Sequence, residues 1–311
     1  CTQAQMDTAH ASGIKVAFSL KDIFHVDQRV GMLPRLDNGT AEERYFKSRV
    51  AAFKDHPALL CWYLNDERKP HPNLHTHQQW VVELDENHPT WQVVTGMQNA
   101  YLASSDVNGV DYYPIGYEGQ NASNERGSVE TAMRVSDRAR PNWPALQVMD
   151  WTVYNRPECK RKANTCHTPT YAEVRSMSWQ AIAAGSQGLF YYSLYDLAKP
   201  QNLNGDLSAR EEWARLSKVA AEVVQFAPIL MSTRAVAPTV AGRAPNWLML
   251  RSHWGVGINA SLCYIFAVND GTGGGAVTFS DVGGNGSRAV QEATVINEDV
   301  DRALPVASGG S

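Results

Sequence analysis

Two adjacent carboxylates, Asp66 and Glu67, close an apolar run that reads Ala58-Leu59-Leu60-Cys61-Trp62-Tyr63-Leu64-Asn65. The uncharged stretch from Leu59 to Leu64 has the pattern of a strand covered on both faces, and two carboxylates at its C-terminal tip lie outside such a core. Paired carboxyls at a strand tip suit general acid/base work, because one negative charge raises the proton affinity of its neighbour. Later strands also end in carboxylates: Asp111 follows Val107-Asn108-Gly109-Val110, and Asp150 follows Pro144-Ala145-Leu146-Gln147-Val148-Met149. A plainer use is open to Asp66 and Glu67, since both residue types cap the start of a helix well.

The elements that would position these groups alternate. A helix ends near residue 12, and Gly13 introduces the strand Ile14 to Leu20. Tyr45, Phe46, Val50 and Phe53 recur at helical spacing over 41–55, ahead of the strand at 58–64. A helix near 73–86 and strands at 92–95 and 107–111 come next. After them stand a helix over 125–139, a strand over 144–149, a helix over 170–184, a strand over 188–193 and a helix over 209–225. Short strands separated by helices mean an α/β fold with parallel strands. No Gly-rich phosphate turn follows any strand, which argues against a doubly wound nucleotide-binding sheet. A (β/α)8 TIM barrel over residues 1–232, lacking two units, fits better. From 233 to 311 the text changes to strands alone, Val236–Val240, Trp247–Leu250, Leu262–Val268, Ala276–Phe279 and Ala293–Ile296, joined by Gly- and Asn-rich turns. That pattern predicts a small antiparallel β-sandwich.

Composition excludes several classes. The 311 residues hold 28 Lys and Arg against 32 Asp and Glu, with no basic block, so nucleic acid is not expected as a partner. No apolar run approaches the roughly 18 residues of a membrane span, so membrane insertion is not expected either. Asn-x-Ser/Thr triplets at Asn38, Asn121, Asn259 and Asn285 suggest glycosylation of a secreted or extracellular protein. Cys159 and Cys166 share a short polar loop and point the same way, as a local disulfide. Cys61 and Cys263 lie in apolar strands as buried thiols. A chain beginning at Cys1 and ending in a Gly/Ser-rich tail reads as a segment of a longer polypeptide, with further domains upstream and downstream.

The run Phe53-Lys54-Asp55-His56-Pro57 through Trp62-Tyr63-Leu64-Asn65-Asp66-Glu67 resembles the fourth-strand motif of clan A glycoside hydrolases, retaining barrel enzymes whose acid/base Glu ends strand four. Asp106 to Gly116 is similar to the sixth-strand segment of a poorly characterised branch of that clan. Thr168 to Arg175 and Gly188 to Ser193 resemble its seventh helix and eighth strand. The matches keep their order over about residues 12 to 230. If the Glu67 strand is the fourth, strands one and two precede Cys1. The resemblance implies that Glu67 protonates the leaving glycosidic oxygen and later deprotonates water, with Asp66 sharing in the chemistry or orienting a neighbour.

The sequence departs from that family in two places. The clan has Asn directly before its Glu, whereas here Asp66 intervenes between Asn65 and Glu67. A second Glu is expected at the tip of strand seven, where the chain reads Leu146-Gln147-Val148-Met149-Asp150-Trp151. A retaining enzyme needs its nucleophile about 5–5.5 Å from the acid; Asp111 and Asp150 are the candidates, and a residue outside this segment, or none, are the alternatives.

Aromatic residues crowd the same strand ends, among them Trp62, Tyr112, Tyr113, Trp151, Tyr154, Tyr191, Tyr192 and Tyr195. Sugars offer flat C–H faces to rings and hydroxyls to polar edges, so carbohydrate is the expected partner, with Gln147 and Asp196 available to the hydroxyls. About half of such aromatics would serve as core, Trp62 and Tyr191 first. His71, His75 and His77 do not form a metal set, because His75 and His77 do not share a helix face. Ser193 and His167 lack a Gly-x-Ser-x-Gly elbow. No metal and no cofactor are expected. Two classes remain: a secreted glycosidase acting on a poly- or oligosaccharide, and a catalytically degenerate relative that binds carbohydrate or builds a larger extracellular glycoprotein.

Overall fold

The computed structural model of the chain describes residues 1–26, 35–96, 98–116, 120–135, 139–154, 159, 166–197, 209–233, 239–240, 243–257, 262–280, 294–295 and 302–303. The chain divides into two compact units, Cys1–Tyr112 with Ser128–Ala145, and Tyr113–Gly127 with Leu146–Ser311.

In the first unit, helices α1 (Gln3–Ala11), α2 (Gly39–Phe53) and α3 (Pro72–Leu84) alternate with strands β1 (Val16–Ser19), β2 (Leu59–Asp66), β3 (Thr90–Val94) and β4 (Val107–Tyr112). Local chemistry starts each helix. Thr2 and Gln5 form a capping box on α1, the Asn38 side chain accepts from the Ala41 amide (3.0 Å) at α2, and His71 caps α3 ahead of Pro72. The strands pair in parallel, β1 with β2, β2 with β3 and β3 with β4. Phe18, Phe46, Phe53, Trp62 and Leu64 bury one face of this sheet against α2 and its neighbours. The connection from β3 to β4 carries a 3-10 turn, Gln98–Tyr101, instead of a helix, so the alternation is not strict.

Helix α4 (Glu125–Val135) and strand β5 (Ala145–Gln147) follow, and the strands keep chain order in the sheet, β1-β2-β3-β4-β5-β6. The second unit contains β6 (Phe190–Tyr192) and helices α5 (Tyr171–Ala184), α6 (Leu194–Leu197) and α7 (Ala209–Leu230). Thr170 and Glu173 start α5 with a capping box, and Gly185, at φ 112°, ends it. This is the parallel α/β organisation of part of a barrel, in the order that the sequence predicts.

The C-terminal region is antiparallel. Strand β8 (Leu248–Trp254) pairs with β9 (Cys263–Asn269), and the short strands β7 (Thr239–Val240) with β10 (Phe279–Ser280), and β11 (Thr294–Val295) with β12 (Arg302–Ala303), form two further pairs. Among the described residues each pair is a sheet of its own. The β8–β9 hairpin packs on α5 and α7: Trp179 stacks on Phe266 at 5.4 Å, and Phe226 meets Phe266 edge-on at 5.5 Å. Arg251 on β8 donates to the carbonyls of Ile182, Ser186 and Leu230 at 3.0, 2.8 and 3.2 Å. No helix among the described residues is long and apolar enough to cross a membrane.

Candidate active site

The tip of β2 is built to turn sharply. The Glu67 amide still donates to the Val93 carbonyl (2.9 Å), yet the residue has φ 54°, left-handed backbone that a side chain disfavours by about 1–2 kcal/mol. The chain is held there by Asn65, whose side-chain oxygen accepts from the Arg68 amide at 3.1 Å.

Asn65 belongs to a buried amide row. Register pairs Asn65 with Gln92 and Gln92 with Asn108 on β2, β3 and β4, and an isolated bridge ahead of β5 pairs Asn108 with Asn142, so the four buried amides occupy matched positions. Asn65 donates to Gln92 at 3.4 Å, and Gln92 donates to the Asn108 oxygen at 2.8 Å and to the Tyr101 carbonyl at 2.9 Å. A buried amide stays in a core only when bonded in this way. The row fixes the tips of β2 and β4 in relation to each other, and it gives Asn65 a structural task in place of a ligand.

At those tips Glu67 and Asp111 bear on each other electrostatically. Glu67 is exposed and Asp111 is buried, with its Oδ1 lacking a hydrogen-bond partner. Burial first, then Glu67 and the charge of Asp66, hold the Asp111 carboxyl well above the ordinary carboxylate range. Asp66 is differently engaged: it pairs with the Lys21 ammonium. Burial and then Asp66 push the Tyr63 hydroxyl upward, so it remains a neutral donor. The Tyr63 ring stacks on Trp91 at 4.5 Å.

Other sequence candidates have structural tasks. Trp62 is fully buried, donates to Asp85 Oδ2 at 2.9 Å and packs on Phe18, so it is core and offers no face to a sugar. Gln147 is likewise inaccessible: its oxygen accepts from the Ile115 amide (2.7 Å) and its nitrogen donates to the carbonyls of Ile115 (2.9 Å) and Met149 (3.0 Å). Asp150 is fully buried and caps the turn Trp151–Tyr154 through the Thr152 amide at 2.8 Å. Tyr112 is half-buried at the end of β4.

The second unit does bring together an accessible aromatic group. Tyr113 stacks on Tyr192 at 5.5 Å, and Trp151 stands edge-on to Tyr113 and Tyr154 at 5.9 and 6.0 Å. The Trp151 indole N–H donates to the Tyr113 carbonyl at 3.0 Å. The Tyr154 and Tyr192 hydroxyls meet at 2.8 Å, and buried Asp196 accepts from Tyr154 and Ser193, each at 2.8 Å. Tyr154, Tyr192 and Tyr195 are exposed.

A second carboxylate centre escaped the sequence reading. Glu42 on α2 is buried and accepts from the His25 amide (2.6 Å), the His25 ring and His77 Nε2 (2.7 Å). Burial raises its carboxyl, but the bonds from His77 and His25 outweigh that and bring it down to about 2. His77 nevertheless stays neutral, because burial among Phe24, Phe46 and Trp80 overrides the pull of Glu42. His75 bonds the Ala103 carbonyl, and among the described residues no cluster of side chains suits a metal ion.

Cys159 and Cys166 form a disulfide with Cα atoms 5.3 Å apart. Asn38 and Asn121 are exposed, each accepting an amide at a helical start. Asn259 and Asn285 lie outside the described residues.

No protein-family model and no curated protein matches the chain. Among solved structures it is similar to the β-galactosidase of the psychrophilic Marinomonas ef1, with a TM-score of 0.49 and 13% identity over 71% of this chain and 52% of that one. It is similar to the GH99 endo-α-mannosidase of Bacteroides thetaiotaomicron, with a TM-score of 0.49 and 14% identity over 71% of this chain and 73% of that one. It is also similar to the β-galactosidase of Bacillus circulans sp. alkalophilus, with a TM-score of 0.48 and 11% identity over 76% and 46% of the two chains. All three are glycoside hydrolases, and the chain spans about half the length of the two β-galactosidases.

Proposed function

We propose that this chain is a secreted glycoside hydrolase of the clan A kind, with an incomplete barrel and a C-terminal β domain, and that Glu67 is its general acid/base on a poly- or oligosaccharide. The observation that carries the reading is the placing of exposed Glu67 and buried Asp111 at the tips of β2 and β4, where burial and then Glu67 raise the Asp111 carboxyl. In hydrolysis the glycosidic C–O bond breaks as the Glu67 carboxyl passes a proton to the leaving oxygen. Water then supplies hydroxide to the anomeric carbon and returns its proton to Glu67, so atoms and charge balance. Asp111 is the buried carboxyl beside Glu67 at these tips and the candidate for the second carboxyl of the reaction. Within the second unit, Tyr113, Trp151 and Tyr192 form an aromatic group of their own, of the kind on which sugar rings stack. The Cys159–Cys166 disulfide and the exposed sequons at Asn38 and Asn121 support secretion as a glycoprotein.

A second reading is favoured by the burial of Asp150, which leaves the strand-seven position without an accessible carboxylate: a degenerate hydrolase module that binds carbohydrate without cleaving it. A polysaccharide panel assayed for both binding and release of reducing ends separates the two. Release supports the first reading, binding alone supports the second, and neither binding nor release overturns both.

A further inference from the structure

Asp196, on α6 in the second unit, is buried, and its Oδ2 accepts from the hydroxyls of Tyr154 and Ser193, each at 2.8 Å. Ser193 Oγ in turn accepts from the Asp196 amide at 3.1 Å. A phenol has one proton to give, and Tyr154 gives its own to Asp196. The 2.8 Å contact between the Tyr154 and Tyr192 hydroxyls must then be made with the proton of Tyr192, donated to the Tyr154 oxygen. Direction passes outward along this chain, from a buried carboxyl through Tyr154 to a ring that is 39% exposed. The Trp151 indole N–H is also engaged, by the Tyr113 carbonyl at 3.0 Å, and a tryptophan has no other donor. What Tyr192 still offers is the lone pairs of its oxygen, at the edge of a ring stacked on Tyr113.

We propose that Tyr192 is the specificity-determining residue of this aromatic group: its oxygen accepts and does not donate, so the group takes a sugar with a hydroxyl or amine at that edge and rejects an ether, carboxylate or sulfate there. Asp196, acting through Tyr154, is the positioning residue that sets the direction. The inference rests on the reading of Tyr113, Trp151 and Tyr192 as a surface on which sugars stack, and it holds whether or not Glu67 cleaves a glycoside.

The test titrates the full chain with the methyl β-glycosides of glucose, galactose and mannose, each with its hydroxyls replaced one at a time by fluorine, and reads affinity by saturation-transfer NMR. Fluorine keeps the acceptor character of the hydroxyl and loses the donor. At one ring position fluorine should weaken binding about tenfold, the contribution of one hydrogen bond. In Tyr192→Phe that penalty should vanish, because no acceptor remains. In Tyr154→Phe it should shrink, because Tyr192 loses its inner partner and is free to turn its proton outward. An undiminished penalty in Tyr154→Phe overturns the directed chain; if that variant does not fold, Tyr192→Phe alone decides. Parent glycosides that bind but show no position dependent on Tyr192 overturn the proposal and leave the stacking surface standing. Parent glycosides that do not bind, or that bind Tyr113→Ala and Trp151→Ala as well as wild type, overturn the stacking surface and the proposal with it.

Discussion

Glu67 and Asp111 stand at the ends of β2 and β4 with one strand between them, an exposed carboxyl set beside a buried one whose proton affinity burial raises first and Glu67 next. This placing depends on a backbone residue in left-handed conformation and on a row of buried amides beneath it. Both features have measurable consequences.

Asp111→Asn should stabilise the protein at neutral pH. Asp111 is held protonated in the fold, so above the unfolded carboxylate value of 3.8 the unfolded chain releases a proton that the folded one keeps. Stability then falls as pH rises from there towards the folded value. The amide removes that dependence. Urea melts at pH 5 and pH 8 should show the variant gaining on wild type with pH, by about 1–3 kcal/mol. A constant difference between the two pH values contradicts the protonation assignment.

Glu42→Gln should act with the opposite sign. The Glu42 carboxyl sits at about 2 against an ordinary 4.5, so its contribution is complete above 4.5 and lost as pH falls towards 2. Removing the charge from a buried hydrogen-bonded group should cost about 3–5 kcal/mol at pH 7. It should also flatten the acid limb of the stability curve between those two values. Equilibrium denaturation over that range checks both parts.

Gly109→Ala should lower stability by about 1–3 kcal/mol or more, because overpacking at a strand centre leaves no room for relaxation. A Cβ at Gly109 would stand 2.5 Å from the Trp143 carbonyl and 2.8 Å from Trp91 Nε1. The indole N–H of Trp91 bonds that same carbonyl at 3.1 Å, so neither atom can withdraw freely. A variant with the wild-type melting midpoint contradicts this packing.

Glu67→Gly should melt no earlier than wild type. The left-handed backbone disfavours a side chain by about 1–2 kcal/mol, and glycine returns roughly 0.5–1 kcal/mol of that through its own entropy. A clear loss of stability, read by calorimetry, would mean that the Glu67 side chain supports the fold and not only the site.

The strand and helix alternation was legible because apolar runs, caps such as Thr170-Glu173 and breakers such as Gly13 act locally. The carboxylates at the β2 tip were legible for the same reason, and so was the short Cys159–Cys166 loop. What could not be read is what register decides. Asn65, Gln92, Asn108 and Asn142 lie far apart in the chain, and only strand pairing puts them in one row. Gln147 and Trp62 were placed near the ligand because they sit close to a strand end. Their direction depends on which face meets the core, and a one-residue change of register reverses it. Glu42 and His77 are ordinary helix residues until α2 packs on α3.

The most direct measurement is the turnover of Glu67→Gln on a sugar chain that the wild type cleaves. The glutamine keeps the size and hydrogen-bonding reach of the side chain but carries no transferable proton. The account predicts a fall in kcat of about 10²–10⁴-fold with binding of the same sugar retained. Turnover at the wild-type rate would contradict the assignment of Glu67 as the acid/base.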